Sequence, residues 1–510
     1  MGLFLKILVI FLFLLLFLLL HIFNSHILFS QFVSDFKVND DTTNQAQYSA
    51  ELSINSTGIF TVVWIDYRNG EGNIYAQRIQ KNGMFIGNNF KININPDSSY
   101  SPNIAVCKNG NFGVCWMESN GTINFSSRVK FRSFDSNAQP ITNEIVINDT
   151  NGNFYGPLSI GVNNSNEFII TWSHGNILYQ RVNINGNKIG NNIRVNDTSN
   201  FYYHRHPEIS IRYDESFIIT WDDSRPPAVT NGDDIYFQMY DKFGNKDGVN
   251  EKVNDDFGPL NLQLSPNISS DSSGNFVIAW SDDRLDNTHS EVYAQSFNYN
   301  GIKIGPNFRV TQSTTSWGKG ICNVFEKPNG EFLIGWSEFR PFIPKPYFQR
   351  YNTERIRIGN NYLVTNEFPS TDKFYSDVEI YEDKIISVWS DERNGPFDVY
   401  CNIRSFTNPD TTVNIIQTSS LIPTEFLLYQ NYPNPFNSST IIQFDIISND
   451  NYNLDLYNTL GQKVKTIFDK NLSSGSYKIN FVSENLNSGI YYYILSSPNE
   501  KLIKNLMLIK

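Results

Sequence analysis

Apolar and polar residues alternate along most of this chain in short runs, broken by Gly, Asn, Asp and Pro. Seven of those runs end in tryptophan: FTVVW, FGVCW, FIITW, FIITW, FVIAW, FLIGW and IISVW close on Trp64, Trp116, Trp172, Trp221, Trp280, Trp336 and Trp389. Alternation among β-branched and aromatic residues predicts strands, and the frequent turn residues leave little room for helix. Consecutive tryptophans stand 49 to 59 residues apart, so one unit is written seven times. A second strand follows each (NIYAQR, ILYQR, DIYFQMY, EVYAQSF, PYFQRY, DVYCNI), with the second unit irregular there. Asn82-Gly83, Asn185-Gly186 and Asn300-Gly301 then mark tight hairpins, since both turn residues need positive φ. A further glycine comes four residues later (Gly87, Gly190, Gly305), followed by a last strand such as IRVND or FRVTQ.

Four antiparallel strands, A to D, repeated at this period describe the blades of a propeller. The chain opens on a D-type strand, FKVNDD at 36–41, and none so clear follows Trp389. The simplest closure has 36–41 complete the unit of Trp389, which removes an open sheet edge. Val413-Asn414 is the rival closing strand. The expected fold is all-β: a seven-bladed β-propeller within 31–406, a Pro/Thr/Ser-rich linker at 407–424, and a small C-terminal immunoglobulin-like β-sandwich at 425–510. That tail is written as short alternating strands, with Ile442, Phe444 and Ile446 on one face and Leu454 and Leu456 on another.

The stretch WSDDR at 280–284 reads at first like a catalytic cluster. An acid two residues after the tryptophan and an arginine four after it recur as Asp66/Arg68, Asp223/Arg225, Asp282/Arg284, Glu338/Arg340 and Asp391/Arg393. Catalysis needs unlike groups in unlike roles, whereas a feature stamped on five units of seven is scaffold. An Arg–carboxylate pair holding the B–C turn against its neighbour fits; left exposed, each contributes about 0–1 kcal/mol. Function is expected where the unit breaks. The D–A and B–C loops share one face of the ring, and the D–A loops carry Tyr155, Tyr202, Tyr203, His204, His206 and Trp317. Exposed rings around one mouth suit a glycan or protein ligand. Two imidazoles without further ligands at a recognisable spacing give no metal site, and no cofactor is expected.

Net charge is −11 over 510 residues, with no basic run, which argues against nucleic acid. Cys107, Cys115, Cys322 and Cys401 are too scattered for a disulfide framework and read as buried thiols. Lys6, the run ILVIFLFLLLFLLL and the small residues Ser25 and Ser30 describe a secretory signal peptide at 1–30, with an uncleaved anchor the alternative.

The unit resembles the W-x-D-x-R…I-Y-A-Q-R propeller repeats of secreted bacterial proteins and, more distantly, sialidase-type propellers. The sialidase Asp box is imperfect here: Ser269 and Asp271 are followed by Gly274 one residue late. In the tail, NYPNPF, LYNTLGQKV, SGIY and the lysine-bearing KNLMLIK resemble, in order and position, the C-terminal sorting domain of the type IX secretion system. That resemblance implies passage through the inner-membrane translocon and the type IX machinery to the cell surface or medium. Three functions remain open: binding of glycan or protein through the loop face, a glycan-active hydrolase or lyase, and a structural adhesin.

Overall fold

The computed structural model describes residues 33–509 except 96, 120–126, 151–155, 199–202, 226–231, 256–261, 286–288, 313–317, 341–342, 366–372, 407–414, 420–422, 438, 483–485, 487 and 499. The expected signal at 1–30 and the rival strand at Val413-Asn414 lie outside the described residues. Every regular element described is a strand, and all strands fall into nine four-stranded antiparallel sheets.

Six of the sheets are simple four-strand meanders. The first comprises Gln47–Ile54, Ile59–Asp66, Asn73–Gln80 and Phe85–Lys91, and the five that follow repeat its order. A seventh sheet takes Lys373–Tyr381, Lys384–Asp391 and Asp398–Ser405 from one end of the repeat and Val33–Lys37 from the other. Val33 pairs with Ile403 and Lys37 with Tyr400, so the N-terminal strand fills the place that the sequence left open. Asn39 extends the join, donating to Asp398 Oδ1 at 2.8 Å and to Gln47 Oε1 at 2.9 Å. The first strand of each sheet packs on the first strand of the next, and the seventh packs on the first.

The tryptophans explain why sheets stack. Trp64, Trp116, Trp172, Trp221, Trp280, Trp336 and Trp389 are all buried, each in a cluster with side chains of the preceding sheet. Trp280, for example, shares its core with Ile218, Ile235 and Phe237. A sheet covered on both faces must read as a near-continuous apolar run, which is what FVIAW is.

The acid and arginine after the tryptophan complete this packing. In four sheets the indole N–H donates to the acid: Trp64 to Asp66 (2.9 Å), Trp221 to Asp223 (2.9 Å), Trp280 to Asp282 (2.7 Å) and Trp389 to Asp391 (3.0 Å). The arginine wraps the same carboxylate through backbone N–H and guanidinium, and lies 4.0–4.3 Å from the centroid of the next strand's tyrosine ring. Arg68, Arg225 and Arg284 also reach back to Asp40, Asp197 and Asp255 at the end of the preceding sheet. The acids are buried, so the small contribution that an exposed pair would make does not apply to them. A carboxylate sheltered by a tryptophan on one side and an arginine on the other sees little water. The second sheet uses Glu118 and Lys130 instead, 3.2 Å apart and buried. Glu338 is buried, and the Arg340 side chain lies outside the described residues.

The second glycine, present in five units, has its reason in a neighbouring glutamine. Gln77, Gln180, Gln238, Gln295 and Gln349 sit where the C–D register slips by two residues. Gln77 Nε2 donates to the carbonyls of Arg78, Ile86 and Gly87, and Gly87 takes a φ of 71° to present its carbonyl.

The two remaining sheets form the tail. One orders Ile415–Ser419, Gly475–Val482, Ser439–Ile446 and Leu427–Leu428; the other Lys463–Leu472, Asp450–Asn458, Gly489–Ser496 and Lys501–Leu508. They share one core that includes Ile442, Phe444, Ile446, Leu454 and Leu456, the faces expected from alternation. Ile415–Ser419 falls inside the stretch expected to be linker. It pairs with Gly475–Val482 because an alternating β-branched run completes an edge that would otherwise stay open. NYPNPF anchors the last strand: Phe436 is buried, its N–H donates to Met507 O, and its carbonyl accepts from Ile509 N–H. All four cysteines are buried and unbridged, as expected, and burial raises their thiol pKa values.

Candidate functional site

Strand register puts the D–A and B–C loops on one face, as the sequence implied: His204 lies opposite Asp223, Gln263 opposite Asp282 and Gln47 opposite Asp66. Of the ligand candidates on those loops, Tyr155, Tyr202 and Trp317 lie outside the described residues. Tyr203 is well exposed, with the Arg205 guanidinium 5.8 Å from its ring centroid. His204 is not part of an exposed mouth. It is fully buried, with Nδ1 3.1 Å from Asp223 Oδ2 and Nε2 3.3 Å from the Thr198 hydroxyl. Gln47, Ser99, Gln263 and Lys319 occupy the equivalent places and are buried too, so His204 belongs to the scaffold.

His206 is different. Its Nδ1 lies 2.6 Å from Asp222 Oδ1, and its side chain lines the channel enclosed by the inner strands. Asp222 is fully buried and also accepts from Arg205 Nε (3.3 Å) and the Ser265 N–H (3.3 Å). Arg205 Nη2 bonds Asp233 as well. Burial pushes the Asp233 carboxyl up to about 6, with Asp222 and Asp223 adding to the rise and Arg205 and His206 opposing it. A buried carboxylate behind one imidazole nitrogen fixes the ring's orientation and leaves Nε2 for other contacts, the arrangement of a directed hydrogen-bonding or proton-transfer group. In five of the other sheets the Arg205–Asp222 pair is replaced by Tyr48–Ile65, Tyr100–Met117, Leu264–Ser281, Gly320–Ser337 and Phe374–Ser390.

Below this mouth the channel, about 640 Å³, is polar. At one level of the inner strands stand Glu51, Asn103, Ser159, Glu208, Asn267, Asn323 and Asp377, each opposite the residue before its sheet's tryptophan. Several of them lace neighbouring sheets together. Asn267 Oδ1 accepts from Val324 N–H (2.8 Å), and Asp377 Oδ2 from Leu52 N–H (2.9 Å). Asn323 Nδ2 donates to Asp377 Oδ1 at 3.1 Å. Burial in the narrow channel raises the carboxyls of Glu51 and Asp377, and the Asp377 and Glu208 charges push Glu51 further. Glu208 is raised to about 8 by the same burial, against a hydrogen bond from Ser159. Among the described residues no group of His, Cys, Asp and Glu is arranged to hold a metal ion.

A carboxyl raised on folding contributes full stability below its usual value of 4.5, and that contribution fades as pH climbs through about 8. Glu208→Gln should therefore flatten the decline in melting temperature across that window. Parallel pH curves for variant and wild type would refute the protonated state of Glu208.

Arg205, Asp222, Asp233, Glu51, Glu208 and Asp377 went unnoticed in the sequence. The signal for Asp222 was present: WDDSR puts an acid directly after the tryptophan, where the other units carry Ile65, Met117, Ser173, Ser281, Ser337 and Ser390.

The far end of the chain decides where the protein goes. Residues 430–510 are a secretion system C-terminal sorting domain. This sorting domain implies handling by the type IX machinery and export to the cell surface or extracellular space. No curated protein matches the chain. Among solved structures it is similar to a Dyadobacter fermentans protein of unknown function (9% identity, 73% of this chain and 98% of that one, TM-score 0.44). It is also similar to an α-L-arabinanase of Penicillium chrysogenum (10%, 74% and 99%, 0.44) and a Trypanosoma rangeli sialidase (9%, 90% and 84%, 0.41). Likenesses at this level say nothing of what this chain binds.

Proposed function

We propose that this chain is an exported seven-bladed β-propeller carrying an immunoglobulin-like sorting sandwich, and that it binds an extracellular glycan or protein at the channel mouth beside its fourth blade. The observation that carries the binding reading is the asymmetry at that mouth. Arg205, His206, Asp222 and Asp233 form one hydrogen-bonded cluster in a single sheet, where scaffold would have repeated. Tyr203, exposed beside Arg205, adds an aromatic face of the kind that sugars and peptides pack against. An N-terminal signal at 1–30 would deliver the chain to the inner-membrane translocon before the sorting domain acts.

A glycan array probed with the full chain tests this reading. Arg205→Ala and Asp233→Asn should weaken any bound glycan about tenfold or more, the loss expected for a charged hydrogen bond. Undiminished binding by both variants would move the site elsewhere. A glycan-active hydrolase or lyase is the second reading, favoured by Glu208 and Asp233, whose raised carboxyls titrate near neutral pH. Turnover of a fluorogenic glycoside panel, lost in Asp233→Asn, would put that reading first.

The sorting role separates from folding in one truncation. Cutting after Phe406, which is buried in the seventh sheet's core, keeps the ring whole and removes the tail including Ile415–Ser419. The product should resist limited proteolysis and remain in the periplasm. Truncated protein on the cell surface would sink the sorting assignment, and a protease-sensitive one would sink the two-domain division.

A further inference from the structure

The opposite end of the ring, where A–B hairpins turn, breaks the repeat in a second place. The position near the end of the inner strand that pairs with the residue four before the tryptophan is Ile54, Val106, Val162, Ile211, Ser270 and Ile380 in six sheets. In the sixth it is Glu326, opposite Phe332. Glu326 is 3% exposed, and neither of its carboxyl oxygens has a hydrogen-bond partner. Arg355 forms a long ion pair with it, Nη2 standing 3.6 Å from Oε1, and Asp271 is a second charged neighbour. Two sheets back, the hairpin's first residue is Arg212, also 3% exposed, with Nε unpartnered while Nη1 donates to Tyr299 O at 2.8 Å. Orphaned buried polar atoms are rare in folded proteins because each forfeits its hydration.

Both residues line one cavity of about 440 Å³, together with Lys108, Tyr213, Asp271 and Phe325. We propose that this cavity is a second ligand site, separate from the channel mouth, and that it takes a single neutral sugar unit. Sugar hydroxyls donate and accept at once, so neighbouring hydroxyls can serve the Glu326 carboxyl and the Arg212 Nε–H together. Tyr213, 69% exposed at the rim, offers a flat ring for the sugar's C–H face. Arg212 and Lys108 in the cavity wall disfavour a cation, and Asp271 disfavours an anion. Asp271 itself is occupied, accepting from the N–H groups of Ser273 and Asn275 at 2.8 and 2.9 Å. Burial holds the Glu326 carboxyl well above its usual range, which suits a neutral partner.

Saturation-transfer NMR and calorimetry on the full chain, with glucose, galactose, mannose, arabinose and their neutral disaccharides as probes, test the site. At least one probe should bind, and Tyr213→Ala, a change at an exposed position, should weaken it about tenfold. Glu326→Leu restores the aliphatic residue that most other sheets carry there. It should abolish binding while leaving the melting temperature equal or higher, a combination that a merely structural glutamate would not give. Arg205→Ala at the mouth should leave this binding unchanged. Failure of every probe to bind, or binding that survives both Tyr213→Ala and Glu326→Leu, overturns the proposal. Binding lost only in Arg205→Ala would place the sugar at the mouth instead.

Discussion

Arg284→Ala should lower unfolding free energy by about 3 kcal/mol, the low end for breaking a buried ion pair. Asp282 is 1% exposed, and the substitution strips it of the guanidinium while its charge stays sheltered beneath Trp280. The Trp280 indole N–H and the backbone N–H of residue 284 still reach Asp282, which keeps the cost from the high end. Lost as well are the 2.8 Å contact to Asp255 on the preceding sheet and the stacking on Tyr293, 4.3 Å from the guanidinium to the ring centroid. Urea denaturation of wild type and variant measures the difference. A loss below about 1 kcal/mol would mean that water reaches Asp282 and that the pair behaves like a surface one. Ligand binding at the mouth should survive, since Arg284 serves the fifth sheet and the mouth cluster belongs to the fourth.

Deleting residues 31–41 should have a comparable or larger effect, on the order of 5 kcal/mol, from lost apolar burial and one broken buried ion pair. Val38, 1% exposed, leaves the core that Trp64 shares with Ile386, Val388 and Cys401. Asp35 no longer meets Arg393, whose guanidinium lies 3.2 Å away with both side chains nearly buried. Asn39 no longer bridges Gln47 and Asp398, and Arg68 loses Asp40. The outer edge of Asp398–Ser405 is then bare. Differential scanning calorimetry should show a markedly lower melting temperature, with aggregation through that edge. An unchanged melt would show that another segment closes the seventh sheet.

Much of this architecture was legible in the residues. Period-two alternation gave the strands, and seven tryptophans at nearly even spacing gave the units. FKVNDD, matched against IRVND and KVNDD, pointed to the N-terminal closing segment, although the strand itself runs Val33–Lys37 and only Phe36 and Lys37 of that motif belong to it. Each is a local signal, repeated until chance was excluded. Repetition likewise argued for WSDDR as scaffold, since five copies of an acid–arginine pair cannot all be one active site. Whether those acids were buried was beyond the sequence, because burial depends on the tryptophan and the preceding sheet together.

The two histidines show where sequence stopped. His204 and His206 differ by two positions, yet one is sealed against Asp223 and the other meets Asp222 at the channel. A positive φ of 48° at His206 bends the strand between them, a kink that Ser49, Ser101 and Ser265 share. Nothing in H-R-H announces that bend. The channel carboxylates were equally hidden: Glu51, Glu208 and Asp377 come from the first, fourth and seventh sheets, hundreds of residues apart at the extremes. Local pattern decided which residues form strands and which strands form a unit, because those forces act between near neighbours. Only the closed ring decided which polar side chains face one another across the channel, because their meeting depends on seven sheets taking their places at once.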